Sequence, residues 1–485
     1  MPKDRVEKRA ALKAFDLKKN MMLLALVVAM VAFEILIRVN HKGAFFTPAN
    51  VTNLILQNGY VVILAVGMLL CILTGGNIDL AVGSVLCMIS AIAGVLIVNM
   101  GVNIYLAIII CLLIGTAAGA IQGYFIAYVR IPAFIVTLAG MLTFRGIGYI
   151  ILKGFTISPF PKSFTRIFNG FLPSMPAQVP LRTTTPGTFD GDPDKLAENL
   201  KYFLSENDLT AKQAADMSTS ELRDMLEAHN SALLKEQILI TMIVAVVLVA
   251  LFVILNSVSR IRRAKKGMPL EPGYSFGIKL AVVVAVVLFG FWLFGQNKGI
   301  PVILITLGII VFVYHYFTSK TVPGRHLYAM GGNEKATVFS GINTNRLMFF
   351  AYTNMGFLTA VAALVCIARF NSAAPSAGDG YELDAIGSCF IGGASAYGGV
   401  GTVSGTVIGA IFMGVLNNGM SILGIDQNWQ RAVKGVVLLL AVLVDVATQK
   451  QRGGGRRIFG GMFKGKDKDG EAAESGAEPA PEGAE

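Results

Sequence analysis

The sequence predicts an all-α polytopic transmembrane protein, on three observations. Hydrophobic residues make up 54% of the 485 positions and charged residues only 15%, against about 25% charged in an ordinary soluble domain. The apolar residues fall in long stretches without charge, and a hydrocarbon core about 30 Å thick needs roughly 20 of them at 1.5 Å each. The lysines and arginines behind the net charge of +11 cluster beside those stretches. That is the positive-inside pattern, not a nucleic-acid patch. A soluble enzyme, a secreted disulfide scaffold and a disordered chain are excluded, and the 53 glycines suit helices that pack closely.

Residues 1–20 carry Lys3, Arg5, Lys8, Arg9, Lys13, Lys18 and Lys19 against Asp4, Glu7 and Asp16, which places the N-terminus in the cytoplasm. The basic start is long and no A-x-A site follows, so the first apolar stretch reads as a retained span and not a signal peptide. It covers 21–38, with Glu34 and Arg38 one turn apart near its outer end. Further spans are expected at 54–73, 80–98, 104–129 and 131–152, which completes a first bundle over 21–152. Arg130 and Pro132 mark the turn before the last of these, and Arg145 interrupts it.

Residues 153–236 are polar, with prolines early and acids late. Pro193 suits the first position of a helix over Leu196, Leu200 and Phe203. Ser218 and Glu221 have the spacing of a capping box for a second helix over Leu222, Leu226 and Leu233. A small helical insertion on the extracytoplasmic side is expected here, either a tolerated elaboration or a docking surface.

Spans at 238–255, 279–295 and 300–318 come next, within 237–318. Arg260, Arg262, Arg263, Lys265 and Lys266 lie between the first two and mark a cytoplasmic loop, as counting crossings from an inside start also gives. The loop 319–346 is likewise inside, with Lys320, Arg325, Lys335 and Arg346. The second bundle, 347–447, opens with a span at 347–368 that leads out to Asp379, Glu382 and Asp384. Residues 385–425 then hold 11 glycines and no charge. The part from Ile386 to Gly399 is too short and glycine-rich for a plain crossing and reads as a broken or re-entrant helix, tolerable only where protein or water lines it. A helix at 402–423, an outer loop at Asp426 to Trp429 and a last span at 431–447 follow. The tail 448–485 is basic, then acidic and of low complexity, and reads as disordered and cytoplasmic. The total is about 10 spans, or 12 if short segments cross.

Chemistry-bearing motifs are few. No G-x-x-x-x-G-K-[ST] occurs, so no P-loop binds ATP here. Cys71, Cys87, Cys111, Cys366 and Cys389 all lie in apolar stretches and read as small buried hydrophobes. His41, His229, His315 and His326 form no ligand cluster, and no metal site is expected. Glu34, Asp79 and Arg145 are the ionisable residues expected in spans, too few for an ion-driven carrier.

Gly115, Gly119 and Gly123 recur every four residues, as do Gly401, Gly405 and Gly409, and both sets read as close-packing helix faces. In the segment Thr74 to Ser84, glycines break the helix. Asn77 or Asp79 either caps the next helix or lines a substrate path at the break. Asn58, Gln122, Asn354, Asn417 and Asn418 are uncharged amides in spans, able to bind sugar hydroxyls or to join helices.

The loop Gly331-Gly332-Asn333-Glu334-Lys335-Ala336-Thr337-Val338-Phe339-Ser340-Gly341-Ile342 resembles the cytoplasmic coupling motif of ABC-importer permeases of the ribose, xylose, arabinose and galactose type. Thr337 stands where a second Ala is common. Three more stretches resemble the same family: Gly76 to Ser84, with Ala81 in place of the usual Ser; Arg130 to Leu138; and Gly392 to Thr406 followed by Asn417-Asn418-Gly419. The resemblance covers about 50–160 and 300–447. The insertion and extra spans look more like the larger xylose or multiple-monosaccharide subgroup.

The resemblance implies a permease subunit in the bacterial cytoplasmic (inner) membrane, with both termini cytoplasmic. It implies a separate cytoplasmic ABC ATPase holding ATP and Mg, an extracytoplasmic sugar-binding protein, a second permease copy (as a homodimer) and a monosaccharide substrate. The chain itself holds no cofactor. Gly331, Gly332, Asn333, Glu334, Ala336, Ser340 and Gly341 would form the ATPase-coupling loop. A same-fold permease for branched-chain amino acids, nucleosides or a signalling sugar remains an alternative, as does a self-sufficient secondary carrier.

Overall fold

The computed structural model describes residues 17–173, 198–207, 209, 211–267 and 273–452. Pro193, Leu196, the basic residues before Leu17 and the tail beyond Arg452 lie outside them. Among the described residues nine helices are long and apolar enough to cross a membrane, and another has a shorter apolar stretch, Leu280–Gly295. These ten match the expected spans except 431–447, which falls within the helix Gln427–Arg452 and is not among them.

Helix α1 is Leu17–Val39. Its Glu34 and Arg38 hydrogen-bond to each other. Glu34 Oε2 also accepts from Phe45 N at 2.7 Å and Phe46 N at 3.3 Å, so the pair clasps the turn into α2, Pro48–Leu73. Thr47 caps α2, its hydroxyl accepting from Asn50 N at 3.2 Å. From Asn58 to Leu73 every residue of α2 is buried, as expected for a helix apolar all round; α2 is the bundle's axis.

Helix α3 (Val82–Gly94) continues as a π turn, Val95–Asn99. Helices α4 (Ile104–Ala127) and α5 (Ala133–Leu152) follow, then the short α6, Lys162–Asn169, and β1, Phe171–Leu172, which pairs antiparallel with β2, Ile300–Pro301.

The insertion contributes α7 (Glu198–Glu206), α8 (Ala211–Asp216) and the start of α9 (Thr219–Lys265). Leu200, Phe203, Leu204, Ala214, Leu222 and Leu226 form its own small core. Ser218 and Glu221 make the expected capping box. The insertion helix and the expected 238–255 span are, however, one helix. No glycine or proline separates Ser218 from Arg263, so nothing stops the helix. Its 47 residues run about 70 Å.

Helices α10 (Gly273–Gly295), α11 (Val302–Lys320), α12 (Val322–Gly332), α13 (Glu334–Phe339) and α14 (Thr344–Phe370) come next. Then come α15 (Tyr381–Ile391), α16 (Val403–Ile422) and α17 (Gln427–Arg452). Helix α4 lies against α14 at backbone distance: a Cβ on Gly115 would sit 2.8 Å from Gly356 O, and one on Gly123 3.0 Å from Phe349 O. Gly115, Gly119 and Gly123 are thus a packing face. Gly405 and Gly409 do the same for α16 against Ser388 and Gly392 at the end of α15. Gly401 does not belong to that face. It precedes α16, where a Cβ would meet Leu69 and Ala394.

Two crossings are broken, and they run oppositely. Leu73 ends α2 beside the 331–342 loop, where Gly399 N donates to Leu73 O at 3.3 Å. From there 74–81 climbs into the bundle before α3 begins. At the other end Ala373 pairs with Ile157, and 371–380 descends to where Gly378 abuts Gly83; α15 completes that crossing. The N-termini of α3 and α15 therefore meet inside the bundle. The expected broken helix is present, but it starts at Tyr381 and not at Ile386, so Glu382 and Asp384 form its first turn. They are not part of a loop; Asp384 is 1% exposed.

Candidate functional site

A polar cavity of about 610 Å³ opens between α2, α3, the 371–380 segment, α15, α16 and α17. Its walls include Asn58 of α2, Ser90 of α3, and Asn417 and Asn418 of α16. Tyr60 and Tyr381 stack within it, ring centroids 4.1 Å apart at 20°. Their positions follow from the chain. Gly414 of α16 lets that helix approach α2, since a Cβ there would lie 3.0 Å from Asn58 Cβ. The early start of α15 puts Tyr381 opposite Tyr60.

The charges at this cavity are paired with one another. Lys434 Nζ lies 2.9 Å from Asp384 Oδ1 and 3.1 Å from Oδ2; Asn417 Nδ2 donates to the same carboxylate at 3.4 Å. Arg431 and Asp379 pair at 2.6 Å nearer the surface. Such pairing offsets the cost of taking these charges out of water. Other polar atoms of the wall have no protein partner: Ser90 Oγ and Asn417 Oδ1 are buried without a hydrogen bond. Both residues belong to the wall, so acceptor and hydroxyl capacity lies unused just behind its surface.

Of the amides singled out from the sequence, Asn58, Asn417 and Asn418 come together here. Asn58 donates to Leu54 O at 2.9 Å, and Asn418 exchanges two amide bonds of 3.0 Å with Asn50. Gln122 and Asn354 do not line the cavity. Gln122 is buried on α4, and Asn354 is hydrogen-bonded to Tyr314.

Asn77 and Asp79 are likewise outside its walls, and neither side chain caps the first turn of α3, whose N-cap is Ala81. Asn77 donates back to Thr74 O at 3.3 Å. Asp79 is the one charged residue between Lys42 and Arg130 and is 3% exposed. Its Oδ1 accepts from Ala81 N at 2.9 Å, closing the turn that aims α3, so it acts two residues before the N-cap position.

Lys434, Asp384, Ser90, Tyr60 and Tyr381 were missed from the sequence. A signal existed for Lys434, the lone charge between Arg431 and Asp445 in an otherwise apolar run.

The 331–342 segment sits at the opposite end from the insertion. Asn333 caps α13, its side-chain oxygen accepting from Ala336 N at 3.0 Å. Ser340 donates to Ala336 O at 3.0 Å, and Gly341 has φ +78°, which glycine adopts without strain. Phe339 is 90% exposed, an apolar ring presented outward. The tight glycine is Gly331 and not Gly332: a Cβ on Gly331 would collide with Leu73 O and the Gly399 backbone, while one on Gly332 meets nothing. Nor is Glu334 a free surface charge. Its Oε1 lies 2.9 Å from Arg130 Nη1 and accepts from Thr344 at 3.2 Å.

A bundle of helices with two opposed broken crossings around a polar cavity, and with a tight glycine contact at Gly331 joining it to an exposed terminal loop, is built to pass a solute. The comparisons with known proteins agree. Residues 50–442 match the family described as branched-chain amino acid transport system / permease component, and the chain belongs to that family. It is a permease component and not an enzyme. It is 32% identical over 432 residues to the xylose transport system permease protein XylH of Escherichia coli (strain K12), covering 89% of this chain and 93% of that one. It is 31% identical over 440 residues to XylH of Haemophilus influenzae, covering 91% and 99%. It is 32% identical over 401 residues to the ribose import permease protein RbsC of E. coli, covering 83% and 87%. No solved structure matches the chain.

Proposed function

We propose that this chain is the permease subunit of an ATP-driven monosaccharide importer, and that the polar cavity between α2, α15, α16 and α17 is where a pentose or hexose enters its path. The observation that carries this is the division of labour in the cavity wall. Its ions neutralise each other, while Ser90 Oγ and Asn417 Oδ1 keep unused hydrogen-bonding capacity. A neutral polyol matches such a wall. A zwitterionic amino acid, which the family description also admits, needs a charge to spare for its ammonium or carboxylate. The relatives named for xylose and ribose support the same reading.

In this proposal the 331–342 end faces the cytoplasm and docks a separate ATPase through Phe339 and Val338. The insertion end faces outward toward a sugar-binding protein, and a second copy of the chain completes the transporter in the inner membrane. The termini are cytoplasmic. Movement of α13 passes to the Gly331–Gly399–Leu73 contact, which joins the end of α2 to the glycine loop before α16. Only contacts that differ between outward and inward states can drive the cycle.

The test is uptake of labelled xylose, ribose, glucose and leucine into vesicles reconstituted with and without the ATPase and binding protein. ATP-dependent sugar uptake that needs all components supports the proposal. Leucine uptake alone, or uptake without ATP, refutes it.

A further inference from the structure

A second cavity, of about 730 Å³, has the opposite chemistry. Leu248 and Phe252 of α9, Val283 and Val287 of α10, Leu307 of α11 and Val407 of α16 form its walls. Asn58 is the one polar side chain lining it, and its Nδ2 donates to Leu54 O at 2.9 Å. Helix α9 leans on α10 and not on the central helices, which leaves this cleft open. We propose that it holds an acyl chain of an anionic phospholipid whose phosphate rests on the basic end of α9.

Two independent features lead there. The first is the lining, apolar except for Asn58, which suits hydrocarbon and not a sugar. The second is the register of charge on α9. Arg262, Arg263, Lys265 and Lys266 are exposed, and no acid lies within 256–267. At 100° per residue, Arg263 returns to within 20° of Phe252, eleven residues and about 17 Å further along. Half a hydrocarbon core is about 15 Å, so a cleft near mid-membrane puts Arg263 at headgroup depth on the same helix face. Arg260 lies over the Phe276 ring at 4.6 Å and ties the basic end of α9 to α10. Positive-inside bias requires charge at this end, but neither this register nor a cleft beneath it. Basic clusters at the cytoplasmic end of a span attract anionic headgroups by roughly fivefold per residue.

The experiment is native mass spectrometry of the full chain, purified in detergent and given equal amounts of phosphatidylglycerol and phosphatidylcholine with identical acyl chains. One phosphatidylglycerol per protomer should be retained in preference to phosphatidylcholine by about fivefold or more. The quadruple variant Arg262→Ala, Arg263→Ala, Lys265→Ala, Lys266→Ala should abolish the preference. Gly308→Leu, at a cleft position where a Cβ meets nothing, should cut retention of both lipids without lowering the unfolding temperature. Equal retention of both lipids by the unaltered chain, a preference that survives the quadruple variant, or a dimer that holds no lipid because a second copy closes the cleft would each overturn the proposal. None of these outcomes depends on whether the solute is a sugar.

Discussion

Arg130 Nη1 sits 2.9 Å from Glu334 Oε1, and the same guanidinium also bonds Asn345. The turn between α4 and α5 is thereby tied to both α13 and the start of α14. Arg130 holds a left-handed conformation, φ +65°, to make the reach. Both side chains are about half exposed, so the pair adds about 0–1 kcal/mol to stability. Its consequence should appear in coupling. Arg130→Glu is expected to lower ATP-dependent uptake by about five- to tenfold with an unchanged unfolding temperature. Glu334→Gln keeps the acceptor and should lose less. Adding Glu334→Arg to Arg130→Glu should restore uptake; a double variant no better than the single would remove this pair from the coupling path.

The glycine pair beside it separates shape from sequence. Gly331→Ala forces a Cβ into the Leu73 and Gly399 backbone, where overpacking costs about 1–3 kcal/mol, and should abolish transport. Gly332→Ala meets open space and should transport within about twofold of the unaltered chain, since surface changes of this kind cost about 0.5 kcal/mol or less. Uptake in vesicles containing the ATPase reads both, and equal losses would show that the contact at Gly331 does not set the coupling.

Lys434→Met leaves the Asp384 carboxylate buried without its cation. Breaking such a pair costs about 3 kcal/mol. The unfolding midpoint in detergent should therefore fall, and the double change Lys434→Met, Asp384→Asn should recover most of the loss. A double variant as unstable as the single would mean that the ion pair is not what holds α15 to α17.

The insertion at 181–235 should face outward. A cysteine at Ser205, exposed on α7, should react with an impermeant maleimide in intact cells or protoplasts. Reaction only after lysis would invert the proposed orientation.

How much of this was readable from the sequence depends on range. Apolar length and charge fixed the spans, because burial in a membrane needs only composition along one helix. The capping box at Ser218 was visible because its two partners are three residues apart. The four-residue glycine spacing revealed the α4 face for the same reason. What escaped depends on partners far away in the chain. Asp384 looked like a loop acid until Lys434, fifty residues on, was placed beside it. Glu334 stands in a recognisable loop motif, but its partner Arg130 lies 204 residues away. Gly332 and Gly331 are indistinguishable neighbours in sequence, and only the approach of Leu73 and Gly399 tells them apart. Gln122 and Asn354 matched Asn417 in type and apolar setting but face other helices.

The most direct test of the central proposal, a sugar path through the Ser90–Asn417 cavity, is the rate of labelled pentose and hexose uptake by Asn417→Leu in vesicles with ATPase and binding protein present. Losing a buried hydrogen-bonding group that meets the solute costs about 1–3 kcal/mol, or roughly 5- to 150-fold in rate. Uptake should fall within that range while membrane insertion, the unfolding temperature and co-purification with the ATPase stay normal. An Asn417→Leu protein that assembles normally and imports sugar at the unaltered rate would contradict it.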